Sequence, residues 1–362
     1  MFVKIISVIM TFIMYVCPFL NIPATEAKKE EWNTDYQYVF CHGLSGWGSY
    51  DIQNNILPYW GMFGGDMMKY LKARGFKVAS ASVDPDGSAW DRACELYAQL
   101  TGTVVDYGKA HSEKAGHDRF GEDFSKKPLI EKWSSKDKIN LLGHSFGGAT
   151  IRVLAALMAN GDRDEIKATD KNDISPLFTG NKADWIYSIT TLAAPTNGTT
   201  AYGFGDPEKE LETFDCAAYD MYIDNALELN KKTPTMKCTY YFAIPCSSTD
   251  KAEDGTWHPD RKITEINMIS SSERMGSLTG TTPKGYVVDE KWLENDGLVN
   301  TISAGAPFNA PSKALDKNNI TKGIWNVAPV YRGDHMALNG DLFMPNQIRE
   351  FYADWINMIN CL

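Results

Sequence analysis

The chain has 362 residues, 43% of them hydrophobic and 23% charged, a balance that excludes both a disordered polypeptide and a multispanning membrane protein. Lys and Arg number 36 against 46 Asp and Glu, for a net charge of -10, so no basic field exists to neutralise a phosphate backbone and nucleic acid is excluded as a partner. Length alone leaves room for one large α/β domain or two of average size.

The chain opens with Lys4 and an apolar run from Ile5 to Leu20 interrupted by Pro18, followed by Ala24, Ala27 and the charged Lys28-Lys29-Glu30-Glu31. That run is shorter than the roughly 18 residues a spanning helix needs, and no other stretch approaches that length. Residues 1–27 therefore read as a signal peptide cleaved near Ala27, with no transmembrane anchor. Met14-Tyr15-Val16-Cys17 lacks the small residues that precede a lipid-modified cysteine. Residues 28–362 are expected to be exported as one extracellular domain.

Beyond the leader, apolar runs of strand length alternate with longer amphipathic segments, the pattern of a mostly parallel sheet covered by helices. Strands are predicted over Tyr36–Cys41, Phe76–Val83, Lys138–Leu142, Trp185–Ala193, Thr239–Ile244 and Trp325–Tyr331, and helices over Asp66–Arg74, stopped by Gly75, and Ala149–Asn160, stopped by Gly161. Three polar stretches, Asp84–Lys126, Thr196–Asp220 and Ser247–Lys291, lack the apolar periodicity for cores of their own and read as excursions from a single domain. Of seven cysteines, Cys17 falls in the leader. The rest form no C-x-x-C pair and are too sparse for a disulfide scaffold, so mostly buried free thiols are expected, with one bridge at most.

Gly143-His144-Ser145-Phe146-Gly147 matches G-x-S-x-G between an apolar strand and a helix, the context in which such a serine stands exposed above a sheet. Glycines at both flanks let strand and helix pass without Cβ clashes, and the helix that follows aims its N-terminal amides at a reacting carbonyl oxygen. A serine hydroxyl needs a base. In an α/β-hydrolase the order is Ser, acid, His, and of the six histidines only His258 and His335 follow Ser145. His258 lies in a polar stretch, whereas His335 follows the last apolar strand, which favours His335. Among many aspartates, Asp296 in Leu293-Glu294-Asn295-Asp296-Gly297-Leu298-Val299 has apolar neighbours that could bury it against an imidazole. The same turn chemistry fits a helix N-cap or a solvated turn equally well. Leu44, after the first strand, would supply an oxyanion-hole amide with Phe146. Asp91, His111 and His117 suit Zn²⁺, although surface histidines fit the bare spacing as well.

Longer motifs carry a resemblance. His42-Gly43-Leu44-Ser45-Gly46-Trp47-Gly48, Tyr59-Trp60-Gly61, the segment Trp90 to Leu100, Val105-Asp106-Tyr107-Gly108, His111 through Phe120, Ser175-Pro176-Leu177-Phe178, Trp292 to Asn300 and Gly323-Ile324-Trp325-Asn326 are similar to the zinc-containing secreted lipases of Gram-positive bacteria, which include thermostable bacillus and staphylococcal lipases. The resemblance runs from about Tyr36 to the C-terminus. It implies an α/β-hydrolase fold, a triad of Ser145, Asp296 and His335, oxyanion amides from Leu44 and Phe146, and a structural zinc held by Asp91, His111, His117 and Asp220. Four protein ligands would leave no open position for activating water.

The chain departs from that pattern in three places. The oxyanion positions hold Leu44 and Phe146 where the family often has Phe and either Gln or Met. Met336 and Ala337 stand where the family's calcium site places its first carboxylate, and Asp341-Leu342-Phe343 departs from the family's Asp-Pro, which puts Ca²⁺ in doubt. The interval Pro195 to Asp220 is too short for two lid helices, which would leave an open site with an apolar patch around Leu44, Phe146 and Trp47. The function implied is hydrolysis of hydrophobic acyl esters, by a lipase or esterase acting at a lipid droplet or polymer surface. A polyester or cutin-like depolymerase is the rival within the class, an amidase or peptidase is a third reading, and a non-catalytic zinc-stabilised secreted binding protein is the alternative from another class.

Overall fold

The computed structural model describes residues 26–340 and 345–362, so the expected leader lies almost wholly outside the described residues, as does Asp341-Leu342-Phe343. Among the described residues no helix is long and apolar enough to cross a membrane.

Seven strands build one sheet: β1 (Gln37–Cys41), β2 (Val78–Ala81), β3 (Ile139–His144), β4 (Ile186–Leu192), β5 (Tyr240–Ile244), β6 (Ser312–Ala314) and β7 (Trp325–Val327). Their order is β6-β7-β5-β4-β3-β1-β2 and every pair is parallel. The main helices are α1 (Met67–Ala73), α2 (Ala89–Thr101), α3 (Gly147–Asn160), α4 (Ile223–Lys232), α5 (Ile266–Met275) and α6 (Pro345–Asn360). The central strands β3 and β4 are buried along their whole length, as an all-parallel sheet covered on both faces demands. Successive residues go to opposite faces. Val39, Cys41, Leu141, Ile189 and Ala243 pack with Ala93, Leu96 and Leu100 of α2 and Ile151, Leu154 and Met158 of α3. Tyr38, Phe40, Leu142, Leu192 and Phe242 pack with Met67 and Leu71 of α1 and Tyr352 and Ile356 of α6.

Several sequence expectations need correction. The run Trp325–Tyr331 is not one strand: Trp325–Val327 joins the sheet, whereas Tyr331–Arg332 pairs with Cys246–Ser247 in a separate ribbon. Pro329, which cannot donate to a ladder, stands between them. The stretch Asp84–Lys126 is not merely a polar excursion, because α2 lies in it and belongs to the main core. Its polar side chains Arg92 and Gln99 are themselves fully buried, so polarity hid a core helix. The three-residue edge strand β6 and helix α6 were also outside the expectation. Cys41, Cys94, Cys216, Cys238, Cys246 and Cys361 are all free, three of them buried.

The close approach of β1 to the start of α3 yields the first test. A Cβ built on Gly147 would stand 2.4 Å from the Cys41 carbonyl oxygen, a backbone atom that cannot yield without separating strand from helix. Gly147→Ala should lower stability by about 1–3 kcal/mol or more, the range for overpacking a core, read as a fall in the thermal unfolding midpoint.

Candidate functional site

β3 delivers Gly143 and His144 to the sheet's C-terminal edge, and the chain then turns through Ser145 and Phe146 into α3. Ser145 has a left-handed backbone, φ 53°, a conformation that an L-residue holds only when its surroundings dictate it. Those surroundings are backbone: the Ser145 amide donates to the Leu192 carbonyl at 2.8 Å. A Cβ on Gly143 would stand 2.3 Å from the Gly147 carbonyl oxygen, and one on Gly43 would stand 2.7 Å from Ser145 Cβ.

The structure brings His335 and Asp296 together. His335 Nδ1 lies 2.9 Å from Asp296 Oδ2, and the His335 amide donates to the Asp296 carbonyl at 2.8 Å. The other carboxylate oxygen, Oδ1, accepts the amides of Leu298 (3.0 Å) and Val299 (2.7 Å). Gly297, at φ 103° and packed against Met268, makes that tight turn possible. Asp296 is thus neither a helix cap nor a solvated turn residue: it is fully buried with both oxygens satisfied. Burial acts to lower the His335 pKa, but the Asp296 carboxylate outweighs it and raises it above the usual histidine value. His258 stands elsewhere, exposed and paired with Glu273 at 2.6 Å.

A hydrogen-bonded chain links His335 to the loop after β1. His144 Nε2 faces the His335 carbonyl at 2.8 Å and must carry the proton, because a carbonyl only accepts. His144 Nδ1 then accepts from the Tyr59 hydroxyl at 2.7 Å, whose oxygen accepts the Gly43 amide at 3.0 Å. Burial and the nearby His335 hold His144 well below the usual histidine range, so it stays neutral. The His144 and His335 rings lie 4.9 Å apart, which sets His335 beside the residue that precedes Ser145. No hydrogen bond joins Ser145 Oγ to His335 in this conformation. Among the described residues, the amides of Leu44 and Phe146 donate to no protein acceptor. The expected apolar patch forms only in part. Leu44 is 38% exposed, but the Phe146 side chain is fully buried and lies 5.2 Å from the Arg92 guanidinium, while the Trp47 indole is half-buried and donates to the Leu57 carbonyl.

Asp91, His111, His117 and Asp215 place ligand atoms within 4.8 Å of one another. This corrects the expected fourth ligand: Asp220 is not in the cluster. Its Oδ2 accepts the Ala89 amide at 2.8 Å at the start of α2, and burial pushes its carboxyl up to about 7. The two aspartates share one short segment, and only the fold reveals which faces the histidines. The cluster fits a divalent cation. Asp91 Oδ1, His111 Nε2, His117 Nε2 and Asp215 Oδ1 are buried with no hydrogen-bond partner. His117 Nδ1 is turned to the Asp118 carbonyl at 2.8 Å, which directs Nε2 inward. Trp90 stacks on His111 at 5.1 Å. Burial acts to lower the His111 pKa, yet Asp215 and Asp91 carry it up to about 9; two carboxylates here call for positive charge.

A family model described as "Lipase-like, C-terminal domain" matches residues 34–209 and 205–360. Lipase 1 of Staphylococcus aureus is 34% identical over 87% of this chain and 52% of its own length; the chain spans about half the length of the curated relatives it matches. EstA from Clostridium botulinum superimposes with a TM-score of 0.83 at 28% identity, covering 94% of this chain and 92% of that one. Staphylococcus hyicus lipase gives 0.80 at 27% identity, covering 91% and 97%. The parallel sheet with helices on both faces is therefore an α/β-hydrolase fold, and the chain belongs to the lipase-like C-terminal domain family.

Proposed function

We propose that this protein is a secreted carboxylic ester hydrolase of the lipase and esterase type, acting on hydrophobic acyl esters through an acyl-Ser145 intermediate. The observation that carries the reading is the buried Asp296–His335 pair, tied through His144 to a serine in a left-handed strand-to-helix turn. Ser145 Oγ attacks the ester carbonyl while His335 Nε2 takes its proton. Asp296 holds the imidazole in the right tautomer and stabilises the imidazolium. The Leu44 and Phe146 amides, with the dipole of α3 behind the latter, receive the oxyanion. Collapse releases the alcohol, protonated by His335, and water then enters by the reverse path to free the acid.

Residues 28–362 would form one domain exported by the leader at 1–27. Asp91, His111, His117 and Asp215 would hold a structural zinc, whose contribution is to tie α2 to the short helix Lys109–Ala115 with its following turn and to the Asp215 segment rather than to activate water. A polyester-accepting site is the second reading. The segment from Pro195 to Asp220 contains only single-turn helices, and Leu44 and Leu298, each 38% exposed, stand at the proposed oxyanion amide and the Asp296 turn. An amorphous polyester film incubated with the enzyme should release monomer if that reading holds.

Ser145→Ala should cut kcat on a dissolved p-nitrophenyl ester by on the order of 10⁶-fold, whereas His258→Ala should leave it near wild type. A silent wild-type protein would point to the binding-protein alternative. Because His335 must be neutral to accept a proton and its pKa is raised, kcat/KM should climb with pH along a curve whose midpoint lies above the histidine value of about 6.5. Asp296→Asn should move that midpoint down and cost about 10⁴-fold in kcat. Zinc removal should act on stability: a ligand at a hundredfold excess over Kd contributes about 2.7 kcal/mol, so chelation should lower the melting temperature by several degrees. Asp215→Ala should abolish that response, while Asp220→Asn should preserve it.

A further inference from the structure

Arg92 is fully buried, and among the described residues it forms no ion pair. Each hydrogen bond it makes goes to a neutral oxygen. Nε donates to Thr150 Oγ1 at 3.0 Å, Nη1 to the carbonyls of Gly43 (3.3 Å) and Pro85 (3.5 Å), and Nη2 to the carbonyl of His42. Taking a guanidinium from water without a carboxylate partner is costly, and packing alone does not call for it, since an apolar side chain of similar volume would fill the same space.

The position of the charge suggests what it is for. The Gly43 carbonyl and the Leu44 N–H belong to the same planar peptide unit, so a hydrogen bond to that oxygen fixes the plane of the amide and strengthens its dipole toward the donor end. The Leu44 N–H is the amide left without a protein acceptor. One loop side chain shares this carbonyl: His42 Nε2 accepts the Val83 amide at 3.2 Å, so Nδ1 carries the proton and donates to the Gly43 oxygen at 2.9 Å, with Arg92 adding the charged second donor. The amide of the same glycine is already bound to Tyr59. On the other side of the hole, the guanidinium lies over the Phe146 ring, next to the second candidate donor.

We propose that Arg92 is a positioning residue for the oxyanion hole, orienting and polarising the Gly43–Leu44 peptide and setting a buried positive charge behind the oxygen that becomes negative during acyl transfer. The role rests on the ester-hydrolase reading above. A neutral ester carbonyl feels this charge weakly and a tetrahedral oxyanion strongly, so the effect falls on the chemical step.

The test uses the full-length protein with Arg92→Met and Arg92→Lys, comparing kcat and KM for p-nitrophenyl butyrate with the affinity of an alkylboronic acid, which forms an anionic tetrahedral adduct on the serine. Arg92→Met should lose about 100-fold in kcat with KM changed by less than about threefold, and boronate affinity should fall in step with kcat/KM. Arg92→Lys keeps the charge but not the fork, and should recover about tenfold of the loss. A folded Arg92→Met with wild-type kcat, or a loss of kcat with boronate affinity intact, would overturn the proposal. So would failure of both variants to fold, which would make the arginine structural. If Arg92→Met alone does not fold, an Arg92→Lys enzyme equal to wild type in both measurements would overturn it, whereas parallel losses of kcat/KM and boronate affinity would support it. A wild-type protein inert toward esters would instead refute the hydrolase reading.

Discussion

The whole candidate site depends on how closely three pieces of backbone approach one another around Ser145. The loop after β1, the end of β3 and the start of α3 meet with no room for a Cβ at Gly43, Gly143 or Gly147. That contact forces the left-handed turn, lifts the serine above the sheet, and leaves the amides of Leu44 and Phe146 without protein acceptors. Everything else at the site braces this arrangement: Tyr59 and His144 from one side, Arg92 from behind, and the Asp296 turn through His335.

Helix α2 is the second organising element, because its first two turns serve different clients. Ser88 caps it, and Asp220 satisfies the Ala89 amide. Asp91 points to the histidine cluster. Arg92, one residue on, points to the loop after β1. Gln99 donates to the Ser82 carbonyl and accepts the Ser82 amide, fixing the chain beyond β2. A rigid helix spreads these side chains at 100° per residue, so the Asp–His cluster and the loop beside Ser145 are referenced to one piece of backbone.

The sheet and the Ser145 turn were legible because both depend on local sequence. Strand-length apolar runs signal a buried parallel sheet, and G-x-S-x-G between a strand and a helix has a steric meaning. The order Ser, Asp, His drew attention to Asp296 and His335, which the structure places in hydrogen-bond contact. What stayed hidden depends on long-range burial. α2 carries buried polar residues and so reads as surface. Asp215 and Asp220 are equivalent until the fold shows one facing histidines and the other a helix N-terminus. Phe146 looks like a groove residue until Arg92 is seen against its ring. Pro329 was a visible signal that the last apolar run is broken.

An all-parallel sheet has a kinetic corollary. Parallel neighbours cannot be joined by a hairpin and must wait for a crossover. β3 pairs with β1 and β4, so the strand that carries Ser145 is completed only after segments distant in the chain have docked, and such non-local contacts form slowly. The left-handed turn is stable only inside that finished neighbourhood. Helical signal should therefore return early on refolding and the Ser145 turn form last, so that any activity carried by that turn would be a stricter reporter of a finished fold than a spectroscopic measure of secondary structure.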